Sequence, residues 1–446
     1  MSCHSAWVSL LRHVVVSPGI QAAVLVLSLM VTYSAQAQVS GAPNEGSDVG
    51  DLMEGQTRLI PAVNITERYD SNVWYGFTPP GGRKVDYASG IQPQLTLDHR
   101  GKYAEGSLFA TGVAEFYTNN PSLNYVGGTT NLNMKLDQLV QRLDRRLSLT
   151  VMDQFIYTTQ LQGFVNPVPG QAPAFSGGPI GSGVQTFRVT TSANSGKLVA
   201  AYILAPKVNF QTSYTNYRIS FGGTVGGQST GVPVFGVNSH SITAGPQFKI
   251  TPRDNLEAKY VFSHASYTST TPTVGGTFST HGGTLGWTRQ LSPTLSGTVS
   301  GGGTLVDLGD AQQAGGTNLT YVASLSLQWN YEKNSAATLS YTRAVTPGFF
   351  GAPVPLVSNT LSVSASRALT QKLRLIGTAN YAHNEDTASI IRFISYGGTV
   401  SLTYDVSRSV TATVNYIYYN YDSKLITQVI AFDRNALMFS LRMVWD

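Results

Sequence analysis

Between Val400 and Tyr421 the chain reads VSLTYDVSRSVTATVNYIYYNY, with an apolar residue at nearly every second position. Val410, Ala412, Val414, Tyr416 and Tyr418 alternate with Thr411, Thr413 and Asn415, a period of two that only an extended strand presents on one face. Upstream, Val400, Leu402 and Tyr404 alternate with Ser401 and Thr403, and the polar segment Asp405-Val406-Ser407-Arg408-Ser409 leaves room only for an antiparallel hairpin. The turn recurs. Leu291-Ser292-Pro293-Thr294-Leu295, Leu369-Thr370-Gln371-Lys372-Leu373 and Val406-Ser407-Arg408-Ser409-Val410 share one form, and Leu143–Leu147 and Ile250–Leu256 are looser versions. In the C-terminal half these turns return about every 40 residues, the spacing of a repeating hairpin.

Followed along the chain, the alternation predicts about 18 strands, from Gln56–Arg68 to Phe432–Val444, in an all-β, transmembrane, antiparallel up-and-down barrel. Short turns alternate with Gly-, Pro-, Ser- and Thr-rich loops such as Gln160–Gly183, Ser220–Val237, Ser269–Thr277, Leu308–Gly316 and Thr346–Val357. That asymmetry predicts short periplasmic turns and long extracellular loops. A strand is expected over Val126–Gln141. Within Gln185–Ile203 the pattern slips at Ser195-Gly196, and within Arg146–Thr159 Asp153 falls on the apolar phase, so a bulge is expected in either. Tyr416, Tyr418, Tyr419, Tyr421, Phe262, Tyr267, Phe116, Tyr117, Tyr214 and Tyr217 cluster toward the long loops and predict an interfacial aromatic girdle.

Composition supports this reading. Charged residues are 12% of the chain, against about 25% in ordinary soluble domains. Beyond the N-terminus no apolar run approaches the ~20 residues of a helical span. Residues 1–37 read as a signal peptide: Arg12, the apolar core Ile20–Val31, and Ala35-Gln36-Ala37, with cleavage after Ala37. Residues 38–55, with Glu45, Asp48, Asp51 and Glu54 and no basic residue, read as a flexible acidic periplasmic lead-in, and 56–446 as the barrel. Cys3 is the only cysteine and lies in the leader, so the mature chain offers no disulfide or thiolate metal site. Subtracting Arg12 leaves 28 basic against 24 acidic residues, a mature charge of +4, too small to indicate a nucleic-acid partner.

The expected setting is the outer membrane of a Gram-negative bacterium, with its lipid and lipopolysaccharide as partners. Leu437, Phe439, Leu441, Met443 and Trp445 share one phase of the last strand, which resembles the C-terminal signal read by the barrel-assembly machinery, although Asp446 follows the final aromatic. Glu67-Arg68-Tyr69-Asp70-Ser71-Asn72-Val73 closes the first strand. With the leader and the Tyr-rich alternation, this heptad resembles the β-barrel porin family associated with exopolysaccharide biosynthesis loci. The resemblance extends over the length of the mature chain, although only the heptad is distinctive. It implies an outer-membrane barrel with a part in polysaccharide export, and it transfers no catalytic residue. Within the Tyr69-Asp70-Ser71-Asn72 motif, Asp70, Ser71 and Asn72 are also turn-forming residues, which points to a structural role at the first loop.

If the apolar phase meets lipid, the other phase lines a lumen. Its charged candidates are Arg58, Arg68, Asp86, Glu105, Glu115, Lys135, Asp137, Lys249, Glu257, Lys259, Arg374 and Arg442. Opposed charges in a water-filled lumen set a weak ion preference. Asn209, Gln211, Ser213, Thr215, Thr320, Ser324, Ser326, Gln328, Thr411, Thr413 and Asn415 add hydroxyls and amides suited to a saccharide. His99, His240, His264, His281 and His383 are scattered, Gly181-Ser182-Gly183 lacks a strand-turn-helix context, and no metal-ligand or phosphate-loop spacing occurs. The reading is therefore a non-enzymatic porin for hydrophilic solutes, without cofactor or metal. An exopolysaccharide-export barrel is the alternative, and a structural or surface-loop binding barrel the third.

Overall fold

The computed structural model describes residues 55–445, except 80, 160–183, 185–187, 225–232, 269–275, 310–315, 333–334, 352, 387–390 and 426–428. The leader, most of the lead-in and Asp446 therefore lie outside the described residues. Eighteen strands follow one another: β1 (Gln56–Asp70), β2 (Asp86–Arg100), β3 (Glu105–Tyr117), β4 (Tyr125–Lys135), β5 (Leu147–Thr158), β6 (Val189–Ala205), β7 (Val208–Thr224), β8 (Gly236–Thr251) and β9 (Asp254–Thr268). The second half is β10 (Gly276–Gln290), β11 (Leu295–Asp307), β12 (Thr317–Glu332), β13 (Ser335–Pro347), β14 (Pro355–Ala368), β15 (Leu373–Asp386), β16 (Arg392–Asp405), β17 (Val410–Lys424) and β18 (Val429–Val444). Each strand pairs antiparallel with the next, and β18 closes on β1 from Ala62 opposite Val444 to Asp70 opposite Ala436. Closure removes both sheet edges, which in hydrocarbon would leave backbone groups without partners. Among the described residues no helix is long and apolar enough to cross a membrane.

Because side chains alternate and directly paired residues share a face, the register sorts the wall into two sides. Leu59, Tyr87, Leu108, Leu285, Tyr321, Leu361, Val400, Val414 and Phe439 stand exposed on the outside. Arg58, Asn64, Thr66 and Arg68 of β1 point inward, opposite Asp98, Gln92, Gly90 and Ala88 of β2.

The repeated turn motif lies at the short-turn rim, and its hydroxyl explains it. Leu295 N–H donates to Ser292 Oγ and Leu373 N–H to Thr370 Oγ1, both at 3.0 Å. Asp144 Oδ1 accepts from Arg146 N–H at 2.9 Å and Thr251 Oγ1 from Arg253 N–H at 3.1 Å in the looser versions. In each turn the side chain at the polar second position accepts a backbone N–H of the tight reversal.

Three expectations change. Pairing of β5 with β6 runs unbroken through Ser195 and Gly196, so no bulge sits there; the irregularities of β6 fall against β7, at Val189/Thr191 and Ile203/Ala205. Asp153 keeps the outward phase without a bulge. The strand expected over Val126–Gln141 ends at Lys135 and is followed by a single helical turn, α1 (Asp137–Val140).

Candidate functional site: the lumen and its long-loop mouth

The inward phase of β1–β4 and β18 carries most of the lumen charge. Arg58 pairs with Asp98 at 3.3 Å, and Arg100 with Glu105 at 2.9 Å near the short-turn rim. Lys135 stands directly opposite Glu105, and Arg442 Nε donates to Gln94 Oε1 at 3.2 Å. On the facing wall Lys259 Nζ lies 2.6 Å from Glu257, Lys249 stands opposite Asn255, and Arg374 stands opposite Thr403. Asp137 is the exception. It lies in α1, outside the barrel wall, where its carboxylate accepts the Leu149 N–H at 2.9 Å. Asp98 and Arg100 were not among the sequence candidates, although the period of two in β2 puts both on the inward phase.

Toward the long-loop mouth the charges gather into one buried network. Arg68 donates to both oxygens of Glu115, at 3.1 and 2.9 Å, and to the Tyr117 hydroxyl at 2.8 Å. The Tyr117 hydroxyl donates to Glu115 at 2.9 Å and accepts from Arg188 at 2.7 Å. Arg188 Nε donates to the Val73 carbonyl at 2.6 Å. Asp70 is gripped by Arg434, whose Nη2 lies 2.7 Å from Oδ2, and by Arg68 at 3.7 Å. Arg188 and Arg434 enter the network unannounced: each is a lone Arg in an uninformative stretch, and only folding brings them to Asp70 and Glu115.

The heptad anchors a loop that turns into the barrel. Asn72 N–H donates to Asp70 Oδ1 at 3.1 Å, Asn72 Nδ2 to the Asp433 carbonyl at 3.1 Å, and Asn435 N–H to Ser71 Oγ at 2.8 Å. Tyr69 points outward, its ring 5.5 Å from that of Tyr87. The chain then carries Val73, Trp74 and Tyr75 into full burial. Tyr75 adopts φ +53° and Gly76 φ +89°. The Tyr75 ring has the Arg188 guanidinium at 5.2 Å and that of Arg434 at 5.0 Å, cation–π contacts that hold a side chain whose backbone sits in a sparsely populated region. Asp86 fixes the far end of the loop, accepting from Asn119 N–H at 2.8 Å and from the side-chain amides of Asn119 and Asn120 at 2.9 and 2.7 Å.

An apolar cluster packs among the long-loop ends of the strands beside this network. Tyr75, Tyr217, Phe235, Tyr267, Phe278, Phe349, Phe350, Phe393, Tyr419, Tyr421 and Phe432 belong to it, drawn from six strands and three loops. The loop carrying Phe349 and Phe350 is pinned to the one before β8: Phe235 N–H donates to the Phe349 carbonyl at 2.8 Å and Gly351 N–H to the Pro233 carbonyl at 3.0 Å. This revises the aromatic girdle. Tyr416, Tyr418 and Tyr214 do face outward, with Phe262 and Phe116 on the same phase, but Tyr419, Tyr421, Tyr267, Tyr117 and Tyr217 point inward and are buried. Adjacent aromatics in a strand must take opposite faces.

The lumen is two-sided. Opposite the charged wall, the middle of the inward face of β10–β17 carries Thr280, Thr284, Thr298, Ser300, Ser324, Ser326, Ser340, Ser362, Thr378, Thr399, Thr413 and Asn415, with charge only toward the ends of strands, as at Arg374, Asp386 and Asp405. Many of these hydroxyls pair across strands, as Ser263 with Thr280 at 2.7 Å and Ser300 with Ser324 at 2.7 Å. Beneath Tyr217 and Phe278 a cup of about 440 Å³ opens, edged by Thr215, Ser239, Ser241, Ser263, Thr280 and Thr304. No group of residues suited to hold a metal ion occurs among the described residues.

No family model matches the chain, and no curated protein matches it. Among solved structures it is similar to OccK2 (OpdF) of Pseudomonas aeruginosa in complex with glucuronate, at 9% identity over 88% of this chain and 99% of that one, with a TM-score of 0.44. It is likewise similar to OccAB4 of Acinetobacter baumannii (11% identity, 88% and 99% covered, TM-score 0.42) and to OprD of Pseudomonas aeruginosa (10%, 92% and 99%, 0.39). Likeness this distant transfers neither a solute nor a residue's role.

Proposed function

We propose that the mature chain is an outer-membrane porin that passes hydrophilic solutes, with its long loops facing the exterior. One observation carries this reading: a closed barrel whose exposed outer wall is apolar around most of its circumference while its inner wall is charged or hydroxylated. A surface of exposed Leu, Val and Tyr on that scale suits lipid, and a wall of that inner polarity suits water and solute. The charged candidates Arg58, Arg68, Glu105, Glu115, Lys135, Lys249, Glu257, Lys259, Arg374 and Arg442 are then the groups a passing ion meets. In the conformation described, the loop through Tyr75 and the Phe349-Phe350 loop join one buried apolar cluster among the long-loop ends of the strands, and we take this cluster as a plug that must loosen for conduction. Single-channel recording in planar bilayers tests the reading. Intermittent openings are expected from the native chain and longer ones once the plug is weakened; a barrel that insulates in both forms would rule the porin out.

A second reading, export of a polysaccharide, is favoured by the uncharged Ser, Thr and Asn wall of β10–β17, along which a neutral glycan slides without being trapped by charge. Deleting the gene and measuring surface polysaccharide separates the two, since unchanged export leaves only the general porin.

A further inference from the structure

The outer wall is not uniformly apolar. Directly paired residues share a face, and one such row runs outward-facing from Leu108 to Leu132, Asp153, Gly196, Asn216, His240 and His264. The row begins as lipid-facing leucine and becomes polar at β5. One step closer to the long-loop rim, Asn194, Arg218 and Asn238 form a parallel outward row. Asp153 sits near the middle of β5 and Asn216 in the middle of β7, so this seam lies well inside the span that hydrocarbon would cover. At mid-strand elsewhere the outward residues include Leu325, Leu361, Val363, Val400 and Val414, and the outward Arg343 and Asn359 of β13 and β14 already pair with each other at 2.8 Å.

Asp153 accepts only the Asn194 amide, at 3.1 and 3.3 Å, and among the described residues neither Asp153 nor the exposed Arg218 forms an ion pair. A carboxylate facing acyl chains with one amide for company is costly, and such groups on a barrel exterior mark contact with protein.

We infer that the outer wall of β5–β8 around Asp153 and Asn216 docks a second copy of this chain within the membrane. This rests on the outer-membrane reading. Copies inserted in the same direction are related by rotation about the membrane normal, which preserves depth, so the mid-depth carboxylate of one copy meets mid-depth groups of the next. The seam supplies what that carboxylate lacks, a cation: the exposed Arg218 guanidinium lies just above its depth, while the Asn194 amide already serves Asp153 and the Asn216 amide donates to Asn238 at 3.3 Å. Acid and donors on one wall make it complementary to itself, and Gly196 leaves room for the approach.

The mature chain is free of cysteine, so single-cysteine variants test the contact in isolated outer membranes. Gly196→Cys meets only Asp153 Oδ1, at 3.5 Å, and is accommodated. Gly196→Cys and Asn216→Cys are expected to yield a covalent product of twice the chain mass under a short bis-maleimide, while Val363→Cys on the far wall yields none. In detergent, light scattering of the uncrosslinked native chain is expected to give a multiple of the chain mass, which Asp153→Leu with Asn216→Leu reduces to one. Single-chain mass with uncrosslinked seam cysteines overturns the inference, and so does a product containing a different protein. Absence from the membrane fraction would instead sink the porin reading on which it stands.

Discussion

Arg434 Nη2 lies 2.7 Å from Asp70 Oδ2, joining residues 364 positions apart across the seam where β18 closes on β1. Both side chains are buried, so the pair fastens barrel closure and loop entry at once. Removing Arg434 leaves the buried Asp70 carboxylate with only the more distant Arg68, at 3.7 Å, as its cation. Arg434→Leu is therefore expected to lower barrel stability by about 3–5 kcal/mol, and Asp70→Leu combined with Arg434→Leu by less than Arg434→Leu alone. The temperature at which the folded band disappears in semi-native electrophoresis checks both.

Gly76 at φ +89° makes the turn that brings Tyr75 under Arg188 and Arg434, and a Cβ there would meet Phe432 Cδ1 at 3.2 Å. Gly76→Ala should destabilise this turn by ~1–2 kcal/mol while leaving the barrel intact. Longer channel openings at unchanged folding yield are the expected readout.

Phe349 and Phe350 are buried in the apolar cluster among the long-loop ends of the strands. Truncating a buried Phe costs about 3–5 kcal/mol of packing in a core. Because this packing holds loops and not the wall, the double variant Phe349→Ser, Phe350→Ser is expected to assemble normally and to conduct more. Unchanged conductance would mean that the cluster does not gate the lumen.

Glu115 receives Arg68 through both its oxygens. With Glu115→Gln the lumen keeps its arginines and loses a carboxylate. The reversal potential under a salt gradient is expected to move toward anions, and Arg68→Gln should move it the opposite way.

At the short-turn rim, Ser292 and Thr370 each accept a turn N–H. Ser292→Ala and Thr370→Ala should each cost about 0.5–1.5 kcal/mol, and Ser292→Thr almost nothing, measured by urea unfolding in lipid vesicles.

The period of two, the polar turns and the loop asymmetry were all legible in the sequence, because alternation and turn chemistry are properties of adjacent residues. They sufficed for an antiparallel barrel and for its strand number. Tyr418 and Tyr419 show the limit. Period two puts them on opposite faces, but only the closed barrel decides that one meets the exterior and the other packs in a plug with Phe432 and Tyr75. Asp137 escaped the lumen because a strand gave way to a helical turn that its own carboxylate supports. Arg188, just before β6, meets Tyr117, Val73 and Tyr75, contacts that no local pattern announces. Asp153 looked like a bulge, and the register made it a polar point on the outer wall. Local chemistry sets which residues can share a face; which faces then meet depends on curvature and closure, which bring residues as distant as Asp70 and Arg434 into contact.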